Sequence, residues 1–127
     1  MCLAGASGAG AELLRALLDA ELRAYFVWVP MLPGDGAEGA AAAAERFAEG
    51  RARHYWDSER VLSRRLAEEL GMGVRFAWDM YMAYPRGAAA IGEPVFWMHQ
   101  LPGVTAAPRL DVGAWRGMVE GLLARAP

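Results

Sequence analysis

Residues 24–32 (AYFVWVPML) form the longest uninterrupted apolar run of the chain, and no other stretch limits the fold as strongly. Its first residues are apolar or aromatic on both alternating faces, which is typical of a parallel strand buried between helices. Two prolines and a glycine then end the strand, and Asp35 is placed to cap a following helix. Because open α/β sheets bind ligands beyond the carboxyl ends of such strands, the sequence predicts a buried strand over 24–31 and a binding loop after it.

The composition is that of one globular domain. The chain has 127 residues, 55% of them hydrophobic and 22% charged. The net charge of −2 gives no basis for nucleic-acid binding. The longest apolar run is about half of what spans a bilayer, and no basic segment followed by an apolar one opens the chain. We therefore expect a cytoplasmic protein with neither a nucleic-acid nor a membrane partner.

Hydrophobic periodicity and turn residues predict an alternation of helices and strands. In chain order the predicted elements are a helix (11–23), the strand over 24–31, a helix (40–49), an edge strand (51–56), a helix capped by Asp57 or Ser58, two long strands (74–84 and 95–101) and a helix capped by Asp111. The connection between the two long strands is too short for a helical crossover, so they should form an antiparallel hairpin. The prediction is a single α/β domain over 1–127.

This order of elements resembles the thioredoxin superfamily, in the arrangement of peroxiredoxins and related thiol–disulfide oxidoreductases. The segments VWVPMLPGD, HYWD, AWDMY and FWMHQL are also similar to bacterial thioredoxin-like proteins. The resemblance implies a thioredoxin-like mixed sheet with helices on both faces, and a C-terminal β-hairpin followed by a helix. It also implies a function related to thiol redox chemistry.

Two features of the family pattern are missing. The family's fold begins with a central strand that carries its redox cysteines to the start of the first helix, and here the chain opens on that helix. Residues 71–75 (GMGVR) stand where the family has a proline before the hairpin. We therefore expect an N-terminally truncated domain with an incomplete redox site, and the sequence leaves open whether it is an enzyme.

Cys2 is the single cysteine of the sequence and the first candidate for a catalytic residue. It lies near the position of the second cysteine of a redox motif, where a helix N-terminus lowers the pKa of a thiol. The alternative is a lone cysteine in a frayed chain end. In the first case we expect a thiol partner protein, because a lone thiol can still form a mixed disulfide.

Asp79 is the second candidate for a catalytic residue. The predicted strand over 74–84 places it between Trp78 and Met80, where an ionised carboxylate is costly unless it is bonded or paired. Such surroundings raise the pKa of a carboxyl group, which is the usual background of a proton-transfer residue. The alternative is a structural Asp that is bonded to Tyr81, to an arginine or to a helix N-terminus.

The two histidines are weaker candidates. His99 shares a strand face with apolar residues, which favours a hydrogen-bonded core residue over a ligand. His54 and Asp57 could form two arms of a metal site, but no third ligand accompanies them, so we predict no metal and no cofactor. The alternative to thiol chemistry is a non-catalytic binding or assembly module that uses the loop after the strand over 24–31. We also expect self-association, because without the family's first strand the strands over 24–31 and 74–84 have unpaired edges.

Overall fold

The structure is a computed structural model that describes residues 3–125 of the chain. Within this range helices alternate with four short strands, so the predicted α/β class is confirmed at that level. The chain divides into two compact units, unit 1 (Met1–Val61) and unit 2 (Leu62–Pro127). The single domain over 1–127 stays a prediction.

The N-terminal helical segment begins and ends earlier than the predicted helix over 11–23. Its parts are α1 (Leu3–Gly5), a π-helical stretch (Ala6–Ala11) and α2 (Glu12–Ala16). Small residues let the segment lie close to the sheet, since a Cβ atom at Gly10 would come within 2.6 Å of the Phe26 ring. Leu18 belongs to the predicted helix but lies beyond the observed helix end, and it is 82% exposed.

The guanidinium group of Arg51 accounts for the position of this helix end. It donates hydrogen bonds to the carbonyl oxygens of Leu14 and Leu17, both at 2.6 Å, and of Asp19 at 3.0 Å. The last carbonyls of a helix have no partner within the helix, so a cation there stabilises its end. Glu49 lies 2.8 Å from the same guanidinium. The backbone N–H and the side chain of Arg51 lower the pKa of that carboxyl group.

Unit 1 is built around one parallel sheet. Its elements are β1 (Ala24–Trp28), the crossover helix α3 (Ala37–Arg46) and β2 (Ala52–Trp56). One face of β1 is buried: Phe26 and Trp28 pack with Phe47 and with alanines of α3. On the other face Tyr25 is 65% exposed. The prediction of a strand buried on both faces is therefore wrong, because helices of unit 1 cover only one of them.

Helix α4 (Val61–Glu69) is capped as predicted, since Oδ1 of Asp57 accepts a hydrogen bond from the backbone N–H of Val61 at 2.9 Å. A buried side chain of this helix then fixes the segment that follows. The hydroxyl of Ser63 donates to the carbonyl oxygen of Ala77 at 2.6 Å, and the Ala77 N–H donates to the Ser63 carbonyl oxygen at 3.0 Å. These bonds hold Ala77 against α4 rather than in a sheet.

The predicted antiparallel hairpin is present, although both strands are shorter than expected. The paired strands are β3 (Met80–Ala83) and β4 (Phe96–His99). The predicted strand over 74–84 fails in its first half for two reasons. Ala77 is bonded to α4, and Asp79 has a φ of +50°, which ends any extended run before β3.

The C-terminal helix α5 (Val112–Arg125) follows the hairpin as predicted. Asp111 caps it, because its Oδ1 accepts a hydrogen bond from the Ala114 N–H at 2.8 Å. Trp115 and Val119 are buried. Trp115 meets the rings of Tyr81 and Phe96 edge-on, and these contacts attach the helix to the hairpin.

The described strands form two sheets of two strands each, one parallel and one antiparallel. The expected wider mixed sheet with helices on both faces is thus not present as such, whereas the hairpin followed by a helix is. No helix in residues 3–125 is both long and apolar enough to cross a bilayer.

We expect Gly117→Ala to stabilise the protein by about 1 kcal/mol. Gly117 lies inside α5, and a Cβ atom there would meet nothing within 4 Å, so alanine gains helix propensity without a clash. Gly71→Ala is the matched control, because Gly71 has equally open surroundings but a φ of +60°. Urea unfolding should show a gain for the first variant and a loss for the second. A loss at Gly117 would mean that another surface contacts it.

Candidate functional site

The loop after β1 is held in shape by Asp35. Its Oδ2 accepts hydrogen bonds from the backbone N–H groups of Met31 at 3.0 Å and Leu32 at 2.9 Å. The Asp35 N–H in turn donates to the Leu32 carbonyl oxygen at 3.0 Å. The bond from Leu32, followed by that from Met31, lowers the pKa of the Asp35 carboxyl group despite some desolvation. The carboxylate therefore organises this loop through bonds to its own backbone.

This geometry corrects the predicted role of Asp35 as a helix cap. Gly36 occupies the N-cap position of α3 and provides no side-chain hydrogen bond. The predicted binding loop is nevertheless an ordered turn, and it presents Leu32, which is 55% exposed, at the end of the strand.

A shallow cavity of about 360 Å³ lies beside this loop. Its walls combine residues of the N-terminal helical segment, the loop and α3, namely Leu3, Asp35, Gly39, Ala42, Ala43 and Arg46. Among the described residues, Arg46 contributes a positive charge and Asp35 a negative charge to a mostly apolar wall. The guanidinium of Arg46 also lies 5.3 Å from the centre of the Phe47 ring. Cys2, the predicted thiol, lies outside the described residues.

The outer face of the parallel sheet was missed by the sequence interpretation. Tyr25 on β1 and Tyr55 on β2 are 65% and 54% exposed, and their rings stack with centres 6.4 Å apart. The signal was present in the alternation, because each tyrosine is flanked on both sides by residues of the buried face. The strand contains no clearly polar residue, so the alternation did not identify an exposed face. Tyrosine occurs both in protein cores and on surfaces.

The free edge of β1 lies on the side of Tyr25 that is away from Tyr55. The Ala24 N–H donates to Arg51 and the Trp28 carbonyl oxygen accepts from Asp57, so these even-numbered residues direct their backbone groups to the β2 side. In a parallel ladder the alternate residues point the other way. The N–H and C=O groups of Tyr25 and Val27 therefore face the opposite edge, and in residues 3–125 no strand pairs with that edge.

The rings of both histidines are hydrogen-bonded, His54 in a half-buried position and His99 in the core as predicted. The Nδ1 atom of His54 accepts from Trp28 Nε1 at 3.1 Å, and its Nε2 lies 3.3 Å from the Phe47 carbonyl oxygen. His99 is fully buried, with Nδ1 accepting from Leu101 N–H at 3.0 Å and Nε2 at 2.9 Å from the Ala107 carbonyl oxygen. No three potential ligands come together among the residues that the structure describes.

Asp79 lies in the half-buried turn before β3, not in the middle of a strand. Its carbonyl oxygen accepts a hydrogen bond from the Gln100 N–H at 2.9 Å. The Tyr81 hydroxyl, an expected partner of the carboxylate, instead donates to Gln100 Oε1 at 3.4 Å. The backbone conformation explains why an aspartate occupies this position. Its φ is +50°, which Asp tolerates better than most residues. Proton transfer by Asp79 stays a prediction.

Comparison with protein-family models, with curated proteins and with solved structures gives no match to this chain. The thioredoxin-like resemblance therefore rests on the quoted sequence segments and on the order of the elements.

We expect Asp79→Gly to be neutral or stabilising, and Asp79→Ala to be less stable than the glycine variant by about 1 kcal/mol. Alanine pays the steric penalty of a positive φ, whereas glycine does not. Urea unfolding at neutral pH measures the difference. Equal destabilisation of both variants would instead show that the carboxylate itself is a structural partner.

Proposed function

We propose that this chain is a thioredoxin-like protein of the thiol-redox lineage whose role in its present form is assembly. The proposed interface is the free edge of β1, together with the loop that follows the strand. The observation that carries the proposal is the set of outward-facing N–H and C=O groups of Tyr25 and Val27. Backbone donors and acceptors at this spacing match another extended strand better than any small ligand.

The edge is complementary to itself. If two copies of β1 pair antiparallel about Phe26, Tyr25 of one copy lies opposite Val27 of the other. Both are residues whose N–H and C=O groups face the edge, so each such pair exchanges two hydrogen bonds. The same arrangement places an aromatic side chain beside a β-branched one on the outer face, which is a favourable cross-strand pair. A second copy of the chain is therefore the partner that we propose.

The surrounding surface supports a strand partner. The exposed ring of Tyr25 already stacks on Tyr55, so its orientation is restricted before any partner binds. Leu32 is presented at the end of the strand by the loop that Asp35 holds in place. An interface formed from ordered groups loses less conformational entropy on association than one formed from mobile groups.

Analytical ultracentrifugation over a range of concentrations tests this assembly. We expect the wild-type chain to form dimers, and we expect Tyr25→Lys and Val27→Pro to weaken dimerisation by about tenfold or more. Lysine places two like charges close together, and proline removes an edge N–H group without touching the β2 side.

Tyr55→Lys is the matched control. It lies on the same face, but on the strand away from the free edge. It removes only the stacking against Tyr25, so it should weaken dimerisation much less than Tyr25→Lys does. Circular dichroism shows whether each variant is folded. A wild-type chain that is folded and monomeric at every concentration would contradict the proposal, as would equal weakening by Tyr55→Lys.

A second candidate function is thiol exchange by Cys2. It follows from the thiol-redox resemblance, which gives the single cysteine of the sequence the role of a redox thiol. In this reaction the Cys2 thiolate attacks a partner's disulfide, forms a mixed disulfide and releases one partner thiolate. The redox partner is thus another protein's disulfide.

The rate of Cys2 alkylation by iodoacetamide as a function of pH tests this second candidate. We expect an apparent thiol pKa below the ordinary value of about 8.5, since only an activated thiol serves in exchange. The Cys2→Ser variant should show no labelling and so reports the background. Ordinary titration near 8.5 would remove the thiol function and leave the assembly function untouched.

A further inference from the structure

Two arginines share one aromatic ring in unit 2. The guanidinium carbon of Arg64, on α4, lies 5.7 Å from the centre of the Phe76 ring, and that of Arg75 lies 5.2 Å from the same centre. Both distances are within the range of about 6 Å over which a ring face attracts a cation. Both arginines are exposed, and the ring is half-buried.

The arrangement is fixed by the backbone. The paired hydrogen bonds between Ser63 and Ala77 hold the residues before Ala77 against α4, directly beside the helix position of Arg64. Ser63 is only 2% exposed, so this anchor is protected from water. The Ser63–Ala77 hydrogen bonds therefore hold the Phe76 ring within reach of Arg64 and Arg75.

Arg65, the neighbour of Arg64 on α4, makes the ion pair that helical spacing predicts. Arg65 forms an ion pair with Glu69 at 2.6 Å, as its spacing of four residues along the helix predicts. Arg64 has the same spacing to Glu68, but within residues 3–125 no ion pair joins them, and Arg64 lies over Phe76 instead. Two arginines thus contact one ring, and for one of them, Arg64, the helical spacing alone would have predicted an ion pair.

We propose that Arg64, Arg75 and Phe76 form a binding site for a phosphoryl dianion. Two guanidinium groups carry the charge that balances a phosphate dianion, and their planar N–H donors match its oxygens. An anion that contacts both guanidinium groups is attracted by two positive charges rather than one. A free phosphate ester and a phosphorylated side chain of another protein offer the same group.

Isothermal titration of the full chain with inorganic phosphate at low ionic strength is the primary test. We expect saturable binding, and about a tenfold or greater loss of affinity in Arg64→Gln and in Arg75→Gln, because each removes a charge-assisted set of hydrogen bonds. Phe76→Leu, which keeps both charges but removes the ring that aligns them, should also weaken binding. Phenyl phosphate and a phosphoserine peptide are the second and third probes, and they distinguish a small ester from a protein ligand.

Arg116→Gln is the matched control. Arg116 is an exposed arginine that pairs with Glu120 on α5, and its replacement should leave the affinity unchanged. Acetate, a monoanion, should bind more weakly than phosphate. The proposal is overturned if none of the phosphate probes binds the wild-type chain, or if Arg116→Gln weakens binding as much as Arg64→Gln does. Circular dichroism of each variant separates loss of binding from loss of folding.

Discussion

The ring stack on the buried face of the parallel sheet is the interaction on which unit 1 depends. Phe26 and His54 lie face to face across the two strands with ring centres 4.7 Å apart. Phe47, the C-cap residue of α3, stacks on Phe26 as well. The indole N–H of Trp28 is bonded to His54, so the stack contains a directed bond as well as apolar contact. Because side chains alternate along a strand, burying Phe26 and Trp28 necessarily turns Tyr25 outward.

That alternation links packing to the proposed assembly. The residues whose side chains are buried also use their backbone groups for β2, and the intervening residues have theirs at the free edge. Because β1 has only five residues, few backbone N–H and C=O groups lie at its free edge. Their regular spacing is the same in a second copy of the strand. Asp35 then stiffens the loop beyond the strand, so the edge and Leu32 belong to one ordered surface.

In unit 2 the hydrogen bonds of Ser63 are the interaction on which the neighbouring segments depend. Its hydroxyl and carbonyl groups bind the backbone of Ala77 and so remove half of a segment whose apolar alternation is typical of a strand. The positive φ of Asp79 then redirects the chain into the hairpin, whose β4 is held further by the bonds of buried His99 to the loop that follows. The same Ser63 bonds place Phe76 beside Arg64, so one local constraint determines both the short strand and the position of the proposed phosphoryl site.

The sequence by itself determined the elements whose signals are local. The edge strand, the hairpin, and the caps Asp57 and Asp111 depend on residues a few positions apart, and the mixed α/β class follows from their order. Tertiary structure decided where elements end and which faces are exposed, because those outcomes depend on partners distant in sequence. Arg51, which follows α3 in the sequence, binds the carbonyl groups at the end of α2. Ser63 binds Ala77 and so removes half of a strand that alternation alone predicted. The exposure of Tyr25 likewise depends on which face of the sheet the helices cover. An apolar run in one strand does not contain that information.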